Sequence, residues 1–339
     1  MTIGNVRGKA IDAGGSGGIF DRDSLAWLAQ KGTLYGDPGS AFEPGGSSGE
    51  PEGLTATGGY ISDWVSAPGD VYRTHIFETS GTFEVTAAGS HGNNLQFLVV
   101  AGGGGGAYET SSGSGGRGAG GAGGLRTNAA PAHPENMPAT ALVYPGSGTW
   151  TCPITVGAGG REGYNQPGAN GSNSSITNPS PNPNITASGG GYGAHSPGTP
   201  GGNGGSGGGG NYGSSGGSSS AAPDGSPNDQ GNGGAAGPNG GGGGGGAGGA
   251  GQDNQVGDAG GPGGLGVAVA IAGPPTNSPI GADGPDGGNN WFAGGGGGGG
   301  GWPGNAVPGG MGGAGPIPYP IAPLPASLNP GTPQCGGGN

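Results

Sequence analysis

The sequence is poor in the residues from which most domains build a core. Only 8% of its 339 residues are charged and 6% are aromatic. Neither a large apolar core nor a network of ion pairs can therefore be the main source of stability. Long hydrophobic runs are also missing, and no stretch approaches the length that crosses a membrane. The first fifteen residues lack an apolar signal segment, so we expect no cleaved signal.

Cysteine and positive charge are scarce as well. Two cysteines, Cys152 and Cys335, are too few for a disulfide framework, and we expect free thiols in preference to one bridge. The net charge is −12, which disfavours nucleic acid and anionic membranes as partners. No lysine follows Lys31, so the glycine runs lack the Gly-Lys-Ser/Thr ending of a phosphate-binding loop.

Residues that carry catalysis are isolated from one another. The four histidines lie in four different contexts, with no Ser/His/Asp order around them: His75, His91, His133 and His195. The stretch Gly281–Asn290 contains Asp283 and Asp286, but it lacks the nonapeptide period of calcium-binding repeats. We therefore expect a protein that is not an enzyme and holds no metal or cofactor.

Glycine and proline are what the sequence does have, with 100 and 32 residues. Such a composition is typical of disorder, because ordering glycine costs more entropy than ordering any other residue. Collagen is excluded, since glycine does not recur at every third position. A polyglycine helix of the polyproline-II type has three residues per turn and no internal hydrogen bonds. We predict that runs such as Gly240–Gly246 and Gly294–Gly301 pack side by side and bond through their backbones.

The stretch from Val71 to Gly106 organises the chain. Phe83 and Val85 alternate with polar residues, as in a half-buried strand. The next strand is denser, with apolar residues on both faces, and it leads directly into five glycines. It is therefore expected to be covered on both sides. Its two faces are Leu95, Phe97, Val99 and Ala101 on one side, and Leu98 and Val100 on the other.

Two later strands and one helix complete the predicted elements. Trp150, Cys152, Ile154 and Val156 share a face, and Pro153 predicts an edge strand or one whose proline side faces solvent. In LGVAVAIAG, large residues (Leu265, Val267, Val269, Ile271) alternate with small ones, which predicts a strand packed on a glycine layer. Asp21 or Asp23 and Gly32 bound a short helix containing Leu25, Trp27 and Leu28. That helix either packs on the sheet or docks the chain to a larger body.

The expected fold is mainly β plus irregular structure. Short β-strands accompany packed polyglycine-II segments and one short N-terminal helix. We divide the chain into an N-terminal docking and linker region (1–70), a glycine-rich β/polyglycine domain (71–302) and a proline-rich C-terminal tail (303–339).

The order of several short motifs carries a resemblance to a known family. HIFETSGTF, LVVAGGGGG, GGLRTN, TVGAGG, NGSNSSI, TASGGGYG, GVAVAIAG and WFAGGGGGGGG follow one another between Tyr72 and Trp302. This series resembles the glycine-rich domain of bacteriophage tail-fibre and other virion appendage proteins, and it is similar to tip adhesins that layer polyglycine helices. A closing hydrophobic strand, common in that family, is replaced here by the proline-rich tail.

The resemblance implies a virion protein of a tail fibre or other appendage that helps recognise the host surface and is extracellular once released. Its implied partners are other virion proteins, a host receptor (a glycan or an outer-membrane protein) and further copies of itself, with a trimer expected first. The alternatives are a purely structural filament or capsid decoration, and an ice- or carbohydrate-binding bundle. Candidate receptor-binding residues are Tyr108, Tyr192, His195 and Tyr212. Trp291 and Phe292 are instead expected to be buried as a small piece of core that caps the glycine lattice.

Overall fold

The computed structural model describes residues 2–9, 53–65, 70–108, 116–129, 137, 141–179, 184–220, 231–235, 240–253, 259–271, 281–285 and 290–300. In these ranges the regular elements are short strands, and no helix occurs among them. The expectation of a mainly β fold with irregular segments is confirmed. The predicted helix with Leu25, Trp27 and Leu28, and the tail 303–339, lie outside the described residues.

Fourteen strands make up the described part of the fold. They are β1 (Thr2–Lys9), β2 (Thr55–Thr57), β3 (Tyr60–Val65), β4 (Asp70–Ile76), β5 (Gly81–Ala87), β6 (Phe97–Val100), β7 (Ala107–Tyr108), β8 (Leu125–Thr127), β9 (Trp150–Thr155), β10 (Gly163–Tyr164), β11 (Ser174–Ile176), β12 (Ile185–Ala187), β13 (Val267–Ala268) and β14 (Trp291–Phe292). Strands from the first seventy residues pair with later ones, since β1 and β3 both flank β4.

Two five-stranded antiparallel sheets hold the apolar core between them. Their strand orders are β3-β4-β1-β6-β8 and β12-β11-β9-β5-β2. On β5, Phe83 and Val85 are buried, as their alternation predicted. They join Trp150 and Cys152 of β9 and Phe97 of β6 in one cluster. The fold therefore contains a small sandwich, which we call the β-sandwich.

Strand β6 is buried on both faces. Phe97 and Val99 belong to the core of the β-sandwich, whereas Leu98 and Val100 join a second cluster on the outer face of their sheet. That cluster also contains Leu125, Ala122, Ala129, Ala247, Val267, Val269, Ile271, Phe292 and Ala293. The expectation that this strand is covered on both sides is confirmed.

Strand β9 decides between the two arrangements predicted for Pro153. Trp150, Cys152 and Ile154 face the core as expected. The strand lies in the middle of its sheet and not at an edge, and Pro153 is exposed on the opposite face, as the second arrangement predicted. The carbonyl of Pro153 accepts a hydrogen bond from the backbone of Thr177, at 2.9 Å. The imide nitrogen of Pro153 faces the same side, where the pairing with β11 has just ended. A proline is tolerated here because the missing N–H falls at the end of a short ladder.

The alternating stretch 265–271 forms only a two-residue strand, β13, paired with β14. Val267, Val269 and Ile271 are buried against the outer face of the sheet that contains β6. Glycine packing occurs beside them, because a Cβ built on Gly248 would lie 2.2 Å from the carbonyl oxygen of Gly266. Leu265 is exposed, so the large residues of this stretch do not all share one environment.

Polyglycine segments continue directly from the β-sandwich. The backbone N–H of Ala101, just after β6, donates to the carbonyl of Gly124, just before β8, at 3.1 Å. The N–H of Gly124 in turn donates to Ser188, just after β12, at 2.8 Å. The segments adjoining β6, β8 and β12 thus run side by side and are hydrogen-bonded to one another. They belong to an array of extended segments that we call the glycine lattice.

Hydrogen bonds between lattice segments recur at every third residue. The N–H groups of Ala101, Gly104 and Ala107 donate to Gly124, Gly121 and Gly118. A different neighbour donates to the intervening carbonyls: Gly190 to Gly102 and Gly193 to Gly105, both at 2.9 Å. Since three residues complete one turn of a polyproline-II helix, this spacing identifies the segments as polyglycine-II helices.

The run Gly240–Gly246 has six neighbouring segments. Its N–H groups donate to three of them, in the pairs Gly241–Gly299 and Gly244–Gly296, Gly242–Gly210 and Gly245–Gly207, and Gly243–Gln252 and Gly246–Gly249. Its carbonyls accept from three others, in the pairs Gly261–Gly241 and Gly264–Gly244, Ala119–Gly242 and Ala122–Gly245, and Ala235–Gly243 and Asn232–Gly246. The prediction that glycine runs bond backbone to backbone is confirmed for this run.

Candidate functional site

One end of the glycine lattice lies away from the β-sandwich. The seven residue steps from Ala101 to Tyr108 span about 22 Å in a polyproline-II helix. At that far end the backbone N–H of Asn165 donates to the carbonyl of Tyr108, at 3.1 Å, and Gly118 donates to Ala194, at 2.9 Å. The side-chain amide of Asn211 donates to the carbonyl of His195. These bonds bring several separate loops together, and we call the group Tyr108, Arg117, Tyr164, His195 and Tyr212 the lattice tip.

Two tyrosines pair on one side of the lattice tip. Tyr108 of β7 lies opposite Tyr164 of β10 in a parallel pair of strands. Their ring centroids are 5.3 Å apart and the planes are tilted by 46°. Tyr164 is 51% exposed, so the pair leaves an aromatic surface open to solvent. Sequence reasoning missed Tyr164, although it directly follows Gly163, as Tyr192 follows Gly191.

Arg117 and His195 place two basic groups beside one another at the lattice tip. His195 is half-buried, and its Nδ1 lies 3.0 Å from the hydroxyl of Ser196. Burial lowers the pKa of His195, and the positive charge of Arg117 lowers it further. Sequence reasoning also missed Arg117, whose signal is a single charge within a glycine tract.

Tyr212 stands on a tight turn. The backbone N–H of Ser214 donates to the carbonyl of Asn211 at 2.7 Å, and Gly213 between them has a φ of 72°. Only glycine adopts that conformation without strain. The carbonyl of Tyr212 accepts from the N–H of Gly198, at 3.2 Å, while the side chain is 47% exposed. The turn therefore holds the backbone and presents the ring.

Tyr192, the remaining candidate, lies on the flank of the lattice and not at its tip. Its N–H donates to the side-chain oxygen of Asn170 at 2.9 Å. Its ring covers Gly202, where a Cβ would lie 2.4 Å from the ring. The structure thus brings Tyr108, His195 and Tyr212 to one end and leaves Tyr192 apart. A binding role for these residues stays a prediction.

The two aromatic residues beside the longest glycine run lie in different environments. Phe292 is buried in the outer cluster, as expected of a core residue. Trp291, also expected to be core, is only half-buried and belongs to neither apolar cluster. It exchanges two backbone hydrogen bonds with Ala282 and lies against Gly284. Nearby Asp283 is exposed. No group of three or more His, Cys, Asp or Glu side chains that could hold a metal ion occurs in the part of the chain that the structure describes.

Comparison with known families bears on the whole glycine-rich region. A family model described as a glycine-rich domain matches residues 78–338. The chain belongs to the glycine-rich domain family. No curated protein and no solved structure matches the sequence. The glycine-rich part of the resemblance is therefore shown.

Among the histidines that the structure describes, His75 is fully buried, and it lies where the two large sheets meet. His75 of β4 donates from Nδ1 to the carbonyl of Gly58, at 2.7 Å, and packs edge-on against Phe83 of the other sheet. Its Nε2 is buried without a hydrogen-bond partner. Burial lowers the pKa of His75, and the bond to Gly58 offsets part of that effect. Nothing in this arrangement resembles a nucleophile site.

Asparagine side chains complete the glycine-rich domain where a lattice neighbour is missing. The amide of Asn232 donates to the carbonyls of Gly246 and Ala247, at 2.9 Å each. The side-chain oxygen of Asn203 accepts from the N–H of Ser218 at 2.8 Å, and that of Asn173 accepts from Gly189 at 2.9 Å. These side chains form hydrogen bonds with backbone groups at the rim of the lattice, where a neighbouring polyglycine helix would form them in the interior.

Within the described residues, no helix is long and apolar enough to cross a membrane.

Proposed function

We propose that this protein is a non-enzymatic bacteriophage virion protein, a tail-fibre or tip subunit that helps recognise the host surface. The observation that supports this most is the lattice tip, where loops from separate segments present tyrosine side chains about 22 Å from the β-sandwich. Tyr164 and Tyr212 are about half exposed there, at 51% and 47%.

The glycine lattice suits such a role because it is a stiff support made from backbone hydrogen bonds. Segments held on several sides lose little further entropy when a ligand binds, and such preorganisation favours affinity. Tyrosine supplies a large contact area from a side chain with few rotatable bonds. The lattice then acts as the platform, and the loops that join its segments make the contacts.

The β-sandwich lies at the other end and is suited to attachment and self-association. Strand β3 is an edge strand of its sheet, with Tyr60 72% and Ile61 45% exposed. Open edges in proteins are normally paired or hidden. We propose contacts there with other virion proteins and with further copies of the chain, in a trimer first. Full-length protein that sediments as a compact monomer at micromolar concentration would contradict the oligomer.

Adsorption to cells tests the recognition role. Labelled full-length protein is screened against a panel of bacteria, and on a strain that binds it the protein is set in competition with phage particles. We expect competition, and we expect the double substitution of Tyr164 and Tyr212 by Ala to weaken it at least tenfold. Leu265→Ala is the control, because it removes a large apolar side chain that is 46% exposed and lies outside both the lattice tip and strand β3. Failure to compete at saturating protein would favour a purely structural role.

A further inference from the structure

Arg117 occupies the middle of the lattice tip. It is the second residue of the segment 116–124, which bonds to five neighbours: 101–107, 188–194, 206–209, 242–245 and 296–299. The bond from Ala107 to Gly118 places Arg117 beside Tyr108, and the bond from Gly118 to Ala194 places it beside His195. A positive charge is thus held where the loops of the tip meet.

This concentration of basic groups is unusual for the chain. The whole sequence has 20 acidic and only 8 basic residues. Even so, Arg117 lies close enough to His195 to lower its pKa, as like charges do. An anion between the two would be attracted by Arg117 and would also favour the protonated form of His195. Guanidinium groups match carboxylates and phosphates with paired hydrogen bonds.

Aromatic surface lies on both sides of this basic pair. The Tyr108–Tyr164 pair lies on the side of Arg117, and Tyr212 lies on the side of His195, next to Asn211, which binds the His195 carbonyl. Tyrosine rings offer an apolar body with a polar end, and the apolar faces of sugar rings pack well on such surfaces. The lattice tip therefore combines a positive charge that can bind an anion with flat aromatic surfaces on which a sugar ring can pack.

We propose that the lattice tip binds an oxyanion carried by a sugar, a carboxylate or a phosphate, between Arg117 and His195. The inference rests on the proposed function, for which it specifies the class of receptor. Arg117 binds the oxyanion through its guanidinium, His195 contributes a second donor, and the tyrosines cover the sugar ring. Acidic or phosphorylated sugars at a bacterial surface supply this chemistry.

Binding of three probes to full-length protein tests the site by calorimetry and by NMR of the His195 ring. Glucuronate carries a carboxylate, glucose 6-phosphate carries a phosphate, and glucose carries neither. We expect at least one charged sugar to bind at least about tenfold more tightly than glucose, the effect of one hydrogen bond to a charged group. The charged sugar that binds identifies the source of the oxyanion. Equal binding of all three, or no binding, would overturn the proposal.

Two variants with the same change of charge make the test specific. Arg117→Gln should weaken binding of the charged sugar at least about tenfold. Arg161→Gln should leave it within twofold, because Arg161 is exposed on the outermost segment near the same end. An equal loss in both would show that the attraction is general and not sited. Arg117→Lys keeps the charge but lacks the planar guanidinium, so it should retain only part of the affinity. It takes the place of Arg117→Gln if that variant fails to fold.

Cell adsorption separates this inference from the proposed function. If wild-type protein competes with particles and Arg117→Gln competes equally well, the oxyanion site is wrong and host recognition stands. If Arg117 governs binding of charged sugars but the protein never competes with particles, the site stands and the recognition role fails.

Discussion

Replacing a single central glycine by alanine tests whether the lattice stabilises the protein. A Cβ built on Gly244 would lie 2.0 Å from the carbonyl oxygen of Gly120 and 2.6 Å from its carbon. Ordinary contacts begin at 3.4 Å, so the segment that contains Gly120 must move by more than an ångström. Neither atom belongs to a flexible side chain, and five neighbouring segments hold that backbone in place.

The cost follows from the hydrogen bonds that such a shift breaks. Ala119 donates to Gly242 at 3.2 Å, and Ala122 donates to Gly245 at 2.9 Å, both across the same gap. Each buried N–H left without an acceptor costs about 1–3 kcal/mol. We therefore expect Gly244→Ala to lower the free energy of unfolding by about 2–6 kcal/mol, a large part of the total for an ordinary domain.

Gly249→Ala is the matched control. It lies five residues further along the chain, in the bend that leads into the next segment, and its added Cβ would meet nothing closer than the backbone nitrogen of Leu265, at 3.5 Å. Alanine in a compatible conformation changes stability by about 1 kcal/mol or less, mostly through the unfolded chain. Urea unfolding of both full-length variants provides the comparison, with amide exchange at Ala119 and Ala122. A Gly244→Ala protein as stable as the control, with both amides still protected, would refute the lattice as a source of stability.

Two further predictions concern buried titratable groups. The pKa of His75 is lowered in the folded protein, so at mildly acidic pH the unfolded chain binds a proton at His75 and the folded protein does not. The free energy of unfolding should therefore fall as the pH drops below about 6.5, the ordinary pKa of histidine. His75→Gln should remove this part of the pH dependence in urea unfolding between pH 7.5 and 5, and an unchanged slope would contradict it. Burial raises the pKa of the Cys152 thiol to about 12, so in a Cys335→Ser background it should react with a thiol reagent no faster than the protein unfolds; prompt reaction of the native protein would contradict that burial.

The strands could be predicted because their information is local. Alternation at Phe83 and Val85, and the apolar density around Leu98 and Val99, fix which faces are buried wherever the strands are placed. Pro153 shows the limit of that reasoning. Whether a missing N–H is tolerated depends on where the neighbouring β11 ends, and this is set by another part of the chain.

The lattice tip could be predicted only in part for a related reason. The sequence singled out Tyr108, His195 and Tyr212, but it also singled out Tyr192, which packs on the flank. It gave no reason to place Arg117 or Tyr164 with the others. Tyr164 is brought to Tyr108 by the register of segments more than fifty residues apart, in the bond from Gly163 to Gly106. Arg117 is brought to His195 in the same way, by the bond from Gly118 to Ala194. A glycine run carries no side chains that record which segment lies beside it.

Alanines are the residues that can set this register. Ala119 and Ala122 are fully buried and three residues apart, so both lie on the same side of their helix, where a Cβ fits. A Cβ on Gly118 would instead lie 2.0 Å from the carbonyl oxygen of Gly209, and one on Gly121 would lie 2.4 Å from that of Ser206. A slip of one residue therefore drives methyl groups into neighbouring backbones.

A permutation of the sequence tests that argument without changing composition. The double variant Gly118→Ala and Ala119→Gly exchanges two neighbours, so it keeps the chain length, the charge and the number of glycines. Composition alone predicts no effect, whereas the register argument predicts a loss of about 1–3 kcal/mol or more, the usual cost of overpacking. Ala119→Gly alone is the control: it removes a methyl group without creating a clash, and it should cost less than the exchange. If the exchanged protein unfolds at the same urea concentration as this control, the register is set elsewhere, in the β-sandwich or by the asparagines at the rim.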